Sequence, residues 1–135
     1  MITNSYWHGT TVRRWQAIQN GCLNEKSPLA DTLYLPVTFA CRRAELESDD
    51  AVILKVCAPA NHFMTMGGGC AARAAEQGDG VCYENKQAIP PAKIKLIDEI
   101  PYAEAVRIWH SKRWGQSYRK HLRQKNLENL MQNWR

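Results

Sequence analysis

Tyr6-Trp7-His8-Gly9-Thr10 is the stretch whose reading decides the fold. Two aromatics ahead of a histidine read as a short strand over residues 5–8. Thr10 or Thr11 can cap a helix directly after it. Val12, Trp15 and Ile18 recur every third residue, Ala17 adds a small residue near that face, and Gly21 stands where a chain leaves a helix with positive φ. The spacing predicts a helix over about 11–20.

Thr32-Leu33-Tyr34-Leu35 reads as a second strand ended by Pro36, which can also open a helix running to Glu47. Ser48-Asp49-Asp50 is a polar break. The run Ala51 to Cys57 is nearly all apolar and is expected as a central strand covered on both faces. A short helix is expected from Cys70 to Gln77, a turn at Gly78-Asp79-Gly80, a strand from Val81 to Glu84 and a last strand from Ile94 to Ile100. After Pro101 the pattern becomes helical, with Tyr102, Val106 and Trp109 on one face, then Tyr118 and Leu122, and Gly115 between two helices. The expected class is α+β: a core over residues 1–100 and a basic helical extension over 101–135 packed on it.

A chain of 135 residues with 44% apolar and 23% charged residues fits one globular domain with a real core. No apolar run approaches the roughly 20 residues that span a bilayer. The first residues lack the charged-then-apolar pattern of a signal peptide, so a cytoplasmic chain without membrane contact is expected. Five cysteines, with no CxxC pair, argue against a disulfide framework or zinc knuckle. His62, Cys70 and Cys82 match no common ligand spacing, so no metal is expected. The net charge of +5 is uneven: residues 107–135 hold eight Lys or Arg against one Glu.

The common nucleotide and hydrolase signatures GxGxxG, GxxxxGK[ST] and GxSxG are absent. Gly67-Gly68-Gly69 alone reads as a mobile loop. What stands out is an ordered set: His8-Gly9-Thr10, a helix ending at Gly21, Tyr34-Leu35-Pro36, a helix with Ala40 and Ala44, the apolar strand 51–57, Tyr83-Glu84, and Ile89-Pro90-Pro91. In this order and spacing the chain, over roughly residues 5–98, resembles the ADP-ribosyltransferases of the His-Tyr-Glu class, the diphtheria-toxin-like and poly(ADP-ribose)-polymerase-like enzymes. The resemblance implies a small split antiparallel sheet with flanking helices. It also implies transfer of ADP-ribose from NAD to a protein or nucleic-acid acceptor, with release of nicotinamide, as in compact bacterial or phage effectors.

That chemistry builds positive charge on a ribose, so the site works by positioning and electrostatics. By resemblance, His8 bonds the adenosine ribose and Gly9, beside Thr10, pairs its backbone with the nicotinamide amide. Tyr34 stacks on the nicotinamide ring, and Glu84 bonds the ribose 2′-hydroxyl and stabilises the developing cation. Gln87 and Glu76 compete with Glu84 for that role. Two positions depart from the pattern: Pro36 replaces a common threonine, and Arg43 replaces a second tyrosine that would close the nicotinamide sandwich. A guanidinium there faces a cationic ring.

The extension interleaves Arg107, Lys112, Arg113, Arg119, Lys120 and Arg123 with Trp109, Trp114 and Tyr118, a combination suited to phosphate and base contacts, or equally to a pair of amphipathic helices that pack their aromatics on the core and leave the charges in water. The alternative to an enzyme is a non-catalytic module of the same fold that binds nucleic acid or a protein through this segment.

Overall fold

The computed structural model describes residues 2–135. It is an α+β fold in which six antiparallel strands form one sheet, ordered β4-β5-β2-β1-β3-β6. The strands are β1 (Thr3–Thr11), β2 (Pro28–Ala30), β3 (Ala51–Pro59), β4 (Phe63–Thr65), β5 (Cys82–Asn85) and β6 (Ile94–Ile100). The helices are α1 (Val12–Gln19), α2 (Tyr34–Glu47), α3 (Gly69–Glu76), α4 (Tyr102–His110) and α5 (Trp114–Gln124). No described helix is long and apolar enough to cross a membrane.

The aromatic pair of β1 serves both faces of the sheet, because successive strand residues point opposite ways. Trp7 joins the core under α2, α4 and α5, with Leu33, Val37, Ile108 and Tyr118. Tyr6 joins the opposite core, where it stacks on Tyr83 (centroids 4.2 Å) and meets Phe63 edge-on at 4.8 Å. β3 divides in the same way: Ala51 and Ile53 face the first core, Val52, Leu54 and Val56 the second. This is the doubly covered strand expected from its composition.

β1 pairs with β3 from Thr3 through Thr11, but with β2 at one register position, Trp7 with Ala30. The sheet is therefore continuous but narrowly joined between β4-β5-β2 and β1-β3-β6. Past Trp7, one edge of β1 has no partner strand.

β6 explains its own irregular alternation. Leu54 pairs with Leu96 while Ile53 pairs with Asp98, so one residue bulges at Ile97 and the strand changes face. Ile94 thus enters one core and Ile100 the other. The same bulge turns Asp98 inward, where it is 2% exposed. Its carboxylate accepts from the Tyr118 hydroxyl (3.1 Å), His121 Nε2 (3.0 Å) and Lys125 Nζ (2.9 Å), fastening α5 to the sheet. Burial alone would raise the Asp98 pKa, but the bonds and charge from His121 and Lys125 outweigh it and hold the carboxyl below its ordinary range.

Several expectations are corrected. Thr32–Leu35 is not a strand: the second strand lies earlier, at Pro28–Ala30, and Tyr34 is the first residue of α2. The N–H groups of Leu33 and Tyr34 donate to the carbonyls of Asn133 (2.7 Å) and Trp134 (3.0 Å), so distant chain satisfies the start of this helix. Neither threonine caps α1 with its side chain. Thr11 Oγ1 donates to Glu47 instead, and the orphan N–H of Arg13 is met by Asp49 Oδ2 at 2.8 Å. Asp50 Oδ1 likewise accepts from Tyr102 N–H at the start of α4 (2.7 Å), so the polar break caps two helices. Gly21 lies outside the positive-φ residues, and Gly115 sits within α5, packed on the Trp134 ring, rather than between helices. α4 buries Ala105 and Ile108 rather than the face of Tyr102, Val106 and Trp109.

Three variants test the packing. A Cβ at Gly9 would overlap the backbone carbonyl oxygen of Pro36, and would lie 3.1 Å from the Ala40 Cβ. Gly9→Ala should therefore cost about 1–3 kcal/mol in chemical denaturation, while Gly21→Ala, whose Cβ meets nothing closer than 3.4 Å, should be tolerated. Asp98→Ala strands its three donors and should cost about 3–5 kcal/mol. Because the folded-state pKa of Asp98 is depressed, its contribution is present above the unfolded value of 3.8 and lost as pH falls through the lower folded one. Acid unfolding curves of wild type and variant should converge there.

Candidate functional site

The unpartnered edge of β1 opens onto a cleft of about 550 Å³. His8, Gly9 and Thr10 form one wall and Arg14 and Ile18 of α1 another; the segment Leu23–Pro28 contributes Asn24 and Ser27, and α2 contributes Phe39 and Arg43. The volume falls in the range of roughly 300–1,000 Å³ found for small-molecule sites.

His8 is the buried titratable group of this cleft, 8% exposed, beside the buried Thr10. Its Nδ1 lies 2.7 Å from the carbonyl oxygen of Pro28. A carbonyl can only accept, so Nδ1 carries the proton and donates. Burial lowers the pKa of the ring, against the bond to Pro28, and the nearby Arg43 and Arg14 lower it further. The imidazole is thus held neutral with Nε2 as a bare acceptor. Nε2 has no partner among the described residues and is not sealed from solvent. Such an atom fits a ligand hydroxyl.

Arg14 and Arg43 converge on one carboxylate. Glu47 accepts from Arg14 Nε (2.9 Å), Arg43 Nη1 (3.3 Å) and Thr11 Oγ1 (3.0 Å). Burial raises the Glu47 pKa, but these bonds more than offset it and hold it low. The pairing spends one donor of each guanidinium, and both side chains remain about half exposed, so further N–H groups are open to an anion at the cleft mouth. Opposite them, the fully buried Asn85 shapes the loop: Oδ1 accepts from Ser27 N–H (3.0 Å), while Nδ2 donates to the carbonyls of Asn24 and Gln87 (2.9 Å each).

The structure brings His8, Gly9, Thr10 and Arg43 together here, but not Tyr34 or Glu84. The Cα of Gly9 faces α2, so the glycine is accounted for by helix packing. Tyr34 lies in an aromatic cluster with Trp114 (4.9 Å) and Trp134 (5.5 Å), and the Arg135 guanidinium covers its ring at 4.1 Å. Glu84 is half-buried in β5, in register with Pro28, and its carboxylate makes no hydrogen bond or ion pair among the described residues. By alternation it shares a face with Pro28, Ala30 and Trp7, opposite the face of His8. Glu76 and Gln87 are exposed and lie outside the cleft.

Arg14, Glu47 and Asn85 are the residues that sequence reading missed. The i,i+4 spacing of Arg43 and Glu47 was one available signal. No cluster of three or more His, Cys, Asp or Glu able to hold a metal occurs among the described residues. The five cysteines are free thiols, and burial pushes Cys41 up to about 12.

Compared with protein-family models, curated proteins and solved structures, the chain has no match.

His8 carries a pH signature. Its folded pKa lies below the ordinary 6.5, so the unfolded chain binds the extra proton first. Its contribution to stability should be intact above that value and decline as pH falls below it. His8→Asn keeps a donor for the Pro28 carbonyl but does not titrate. Denaturation midpoints followed from about pH 7.5 to 5 should fall further in wild type than in the variant; parallel profiles would overturn the assignment.

Proposed function

We propose that this chain is an ADP-ribosyltransferase that binds NAD in the His8 cleft and transfers ADP-ribose to a macromolecular acceptor, protein or nucleic acid. The observation that carries the reading is the neutral His8, tautomerically fixed by the Pro28 carbonyl, on a strand edge that lacks a partner. A ribose hydroxyl matches the bare Nε2. Arg14 and Arg43 suit the pyrophosphate, which answers the question raised by a guanidinium where a second tyrosine is common: Arg43 meets phosphate instead of the cationic ring. Backbone groups on the free edge of His8–Thr10 suit the carboxamide of nicotinamide.

On this reading the nicotinamide ribose lies at the seam where β1 and β2 part. Glu84, one strand across from Pro28 with its carboxylate unspent, lies on the face of the sheet opposite His8, so its catalytic role rests on the resemblance alone. In that role it would bond the 2′-hydroxyl and stabilise the positive charge that develops as nicotinamide leaves, which requires the ribose to reach past β2 to that face.

A second reading, a module that binds a nucleotide or partner without catalysis, is favoured by two observations, the first being that Glu84 lies on the face of the sheet opposite His8. The second is that Tyr34, the nicotinamide-stacking position by resemblance, is covered by Trp114, Trp134 and Arg135.

Calorimetry with NAD and labelling from NAD radiolabelled in its adenylate half separate the readings. The enzyme reading expects binding at or below about 1 mM NAD. It also expects at least a tenfold loss of affinity in His8→Ala and loss of labelling in Glu84→Ala with NAD affinity retained. Binding without labelling in wild type supports the module. No heat with NAD removes both nucleotide readings.

A further inference from the structure

A second surface is built on different chemistry. α4 and α5 meet at Ser111–Arg113 and enclose an open groove of about 540 Å³ lined by Arg107, Lys112, Arg113, Lys120 and Arg123. Arg113, just ahead of α5, and Lys120 and Arg123 within it lie along one stripe, which spans about 15 Å. Arg107 is tied to Glu104 (3.0 Å); the other four cations form no ion pair among the described residues. Arg119 lies off the groove, and Lys125 is withdrawn to Asp98. The polar side chains between the cations are Ser111, Gln116 and Ser117, with Ser117 Oγ donating to Ser111 Oγ at 2.9 Å.

The lining is thus almost wholly donor. Lys and Arg cannot accept a hydrogen bond, so the matching surface must present acceptors and negative charge. No apolar or aromatic residue lines the groove to anchor a protein partner, where aromatic hot spots are the rule. The aromatics of this segment point elsewhere: Trp114 packs on Tyr34 and Trp134, and Tyr118 is fully buried against His121 and Trp134. Of the two expectations for this segment, the aromatics follow the one in which they pack on the core, so they form no platform for exposed bases. Single-strand binders rely on such stacking platforms.

We infer that the α4–α5 groove binds the phosphate backbone of duplex nucleic acid, independent of sequence. A duplex offers a charge about every 1.7 Å along its axis, so a 15 Å stripe faces several phosphates without any base contact. This inference goes beyond the NAD reading and is tested without NAD, so the two stand or fall separately.

The test is fluorescence anisotropy of a labelled mixed-sequence DNA duplex titrated with the full chain over a series of salt concentrations. The expected dissociation constant at physiological salt is on the order of 10⁻⁶–10⁻⁴ M, with a log–log salt slope of about −4. The single strand of equal length should bind no more tightly. Lys120→Gln with Arg123→Gln should weaken binding about tenfold or more and flatten the slope by about 2. Arg119→Gln with Arg42→Gln removes equal charge from exposed positions outside the groove and should change the slope by less than half as much. Equal weakening by the two pairs would overturn the proposal. So would tighter binding of the single strand, equal binding of polyglutamate, or no binding at about 50 mM salt.

Discussion

The helical side of this protein depends on the bare Cα of Gly9. Strand β1 and helix α2 approach so closely there that the Pro36 carbonyl occupies the space of a side chain. Ala40 and Ala44, both fully buried, continue the close contact along the helix. Small residues on both partners let α2 lie low on the sheet, and Val37 and Cys41 fill the flanks. With α2 set at that height, its first turn projects beyond the sheet to meet the last residues of the chain. The carbonyls of Asn133 and Trp134 then satisfy its leading N–H groups, and Tyr34 completes an aromatic cluster with Trp114 and Trp134.

The cleft arises from a contest between the two neighbours of β1. β3 holds it along its whole length, whereas the three residues of β2 touch it once. β2 is kept short by the loop before it, where Asn85 gathers Asn24, Ser27 and Gln87. A longer β2 would consume the free edge of His8–Thr10. The His8–Pro28 hydrogen bond bridges the gap that remains, so one bond fixes both the histidine tautomer and the width of the opening.

The parts of the fold legible in sequence were those whose pattern is local. Ala51–Cys57 could only be a covered strand, and Val12, Trp15 and Ile18 marked a helix. Thr32–Leu35 misled because an alternating tetrapeptide before proline fits a strand end and a helix start equally well. Contacts with residues a hundred positions away decide between them, and no local propensity encodes those. The caps failed for the same reason: Asp49 and Asp50 serve helices distant in sequence. Of the site, His8, Thr10 and Arg43 were legible through their motif order. Arg14 was not, since its partner Glu47 lies 33 residues away.

Gly9 and His8 were adjacent signs of the same motif, but they carry unequal weight. Packing against Pro36 accounts for the glycine whether or not anything binds the cleft. Packing does not account for His8. An apolar residue would fill that wall of the sheet without the cost of burying an imidazole. The protein instead retains a ring whose one proton is committed to Pro28 and whose other nitrogen stays open as an acceptor. Beside it stand two guanidiniums that share a single carboxylate and so keep net positive charge at the mouth. A lone acceptor next to two half-exposed guanidiniums is the chemistry on which the proposed nucleotide reading rests. The α4–α5 groove is dominated by Lys and Arg donors, with acceptors only on Ser111, Gln116 and Ser117, and so suits phosphate better than a sugar hydroxyl. The two surfaces therefore offer different chemistry, a lone acceptor beside guanidiniums in the cleft and clustered cations in the groove, and that difference is what the proposed discrete nucleotide and polymer backbone would each require.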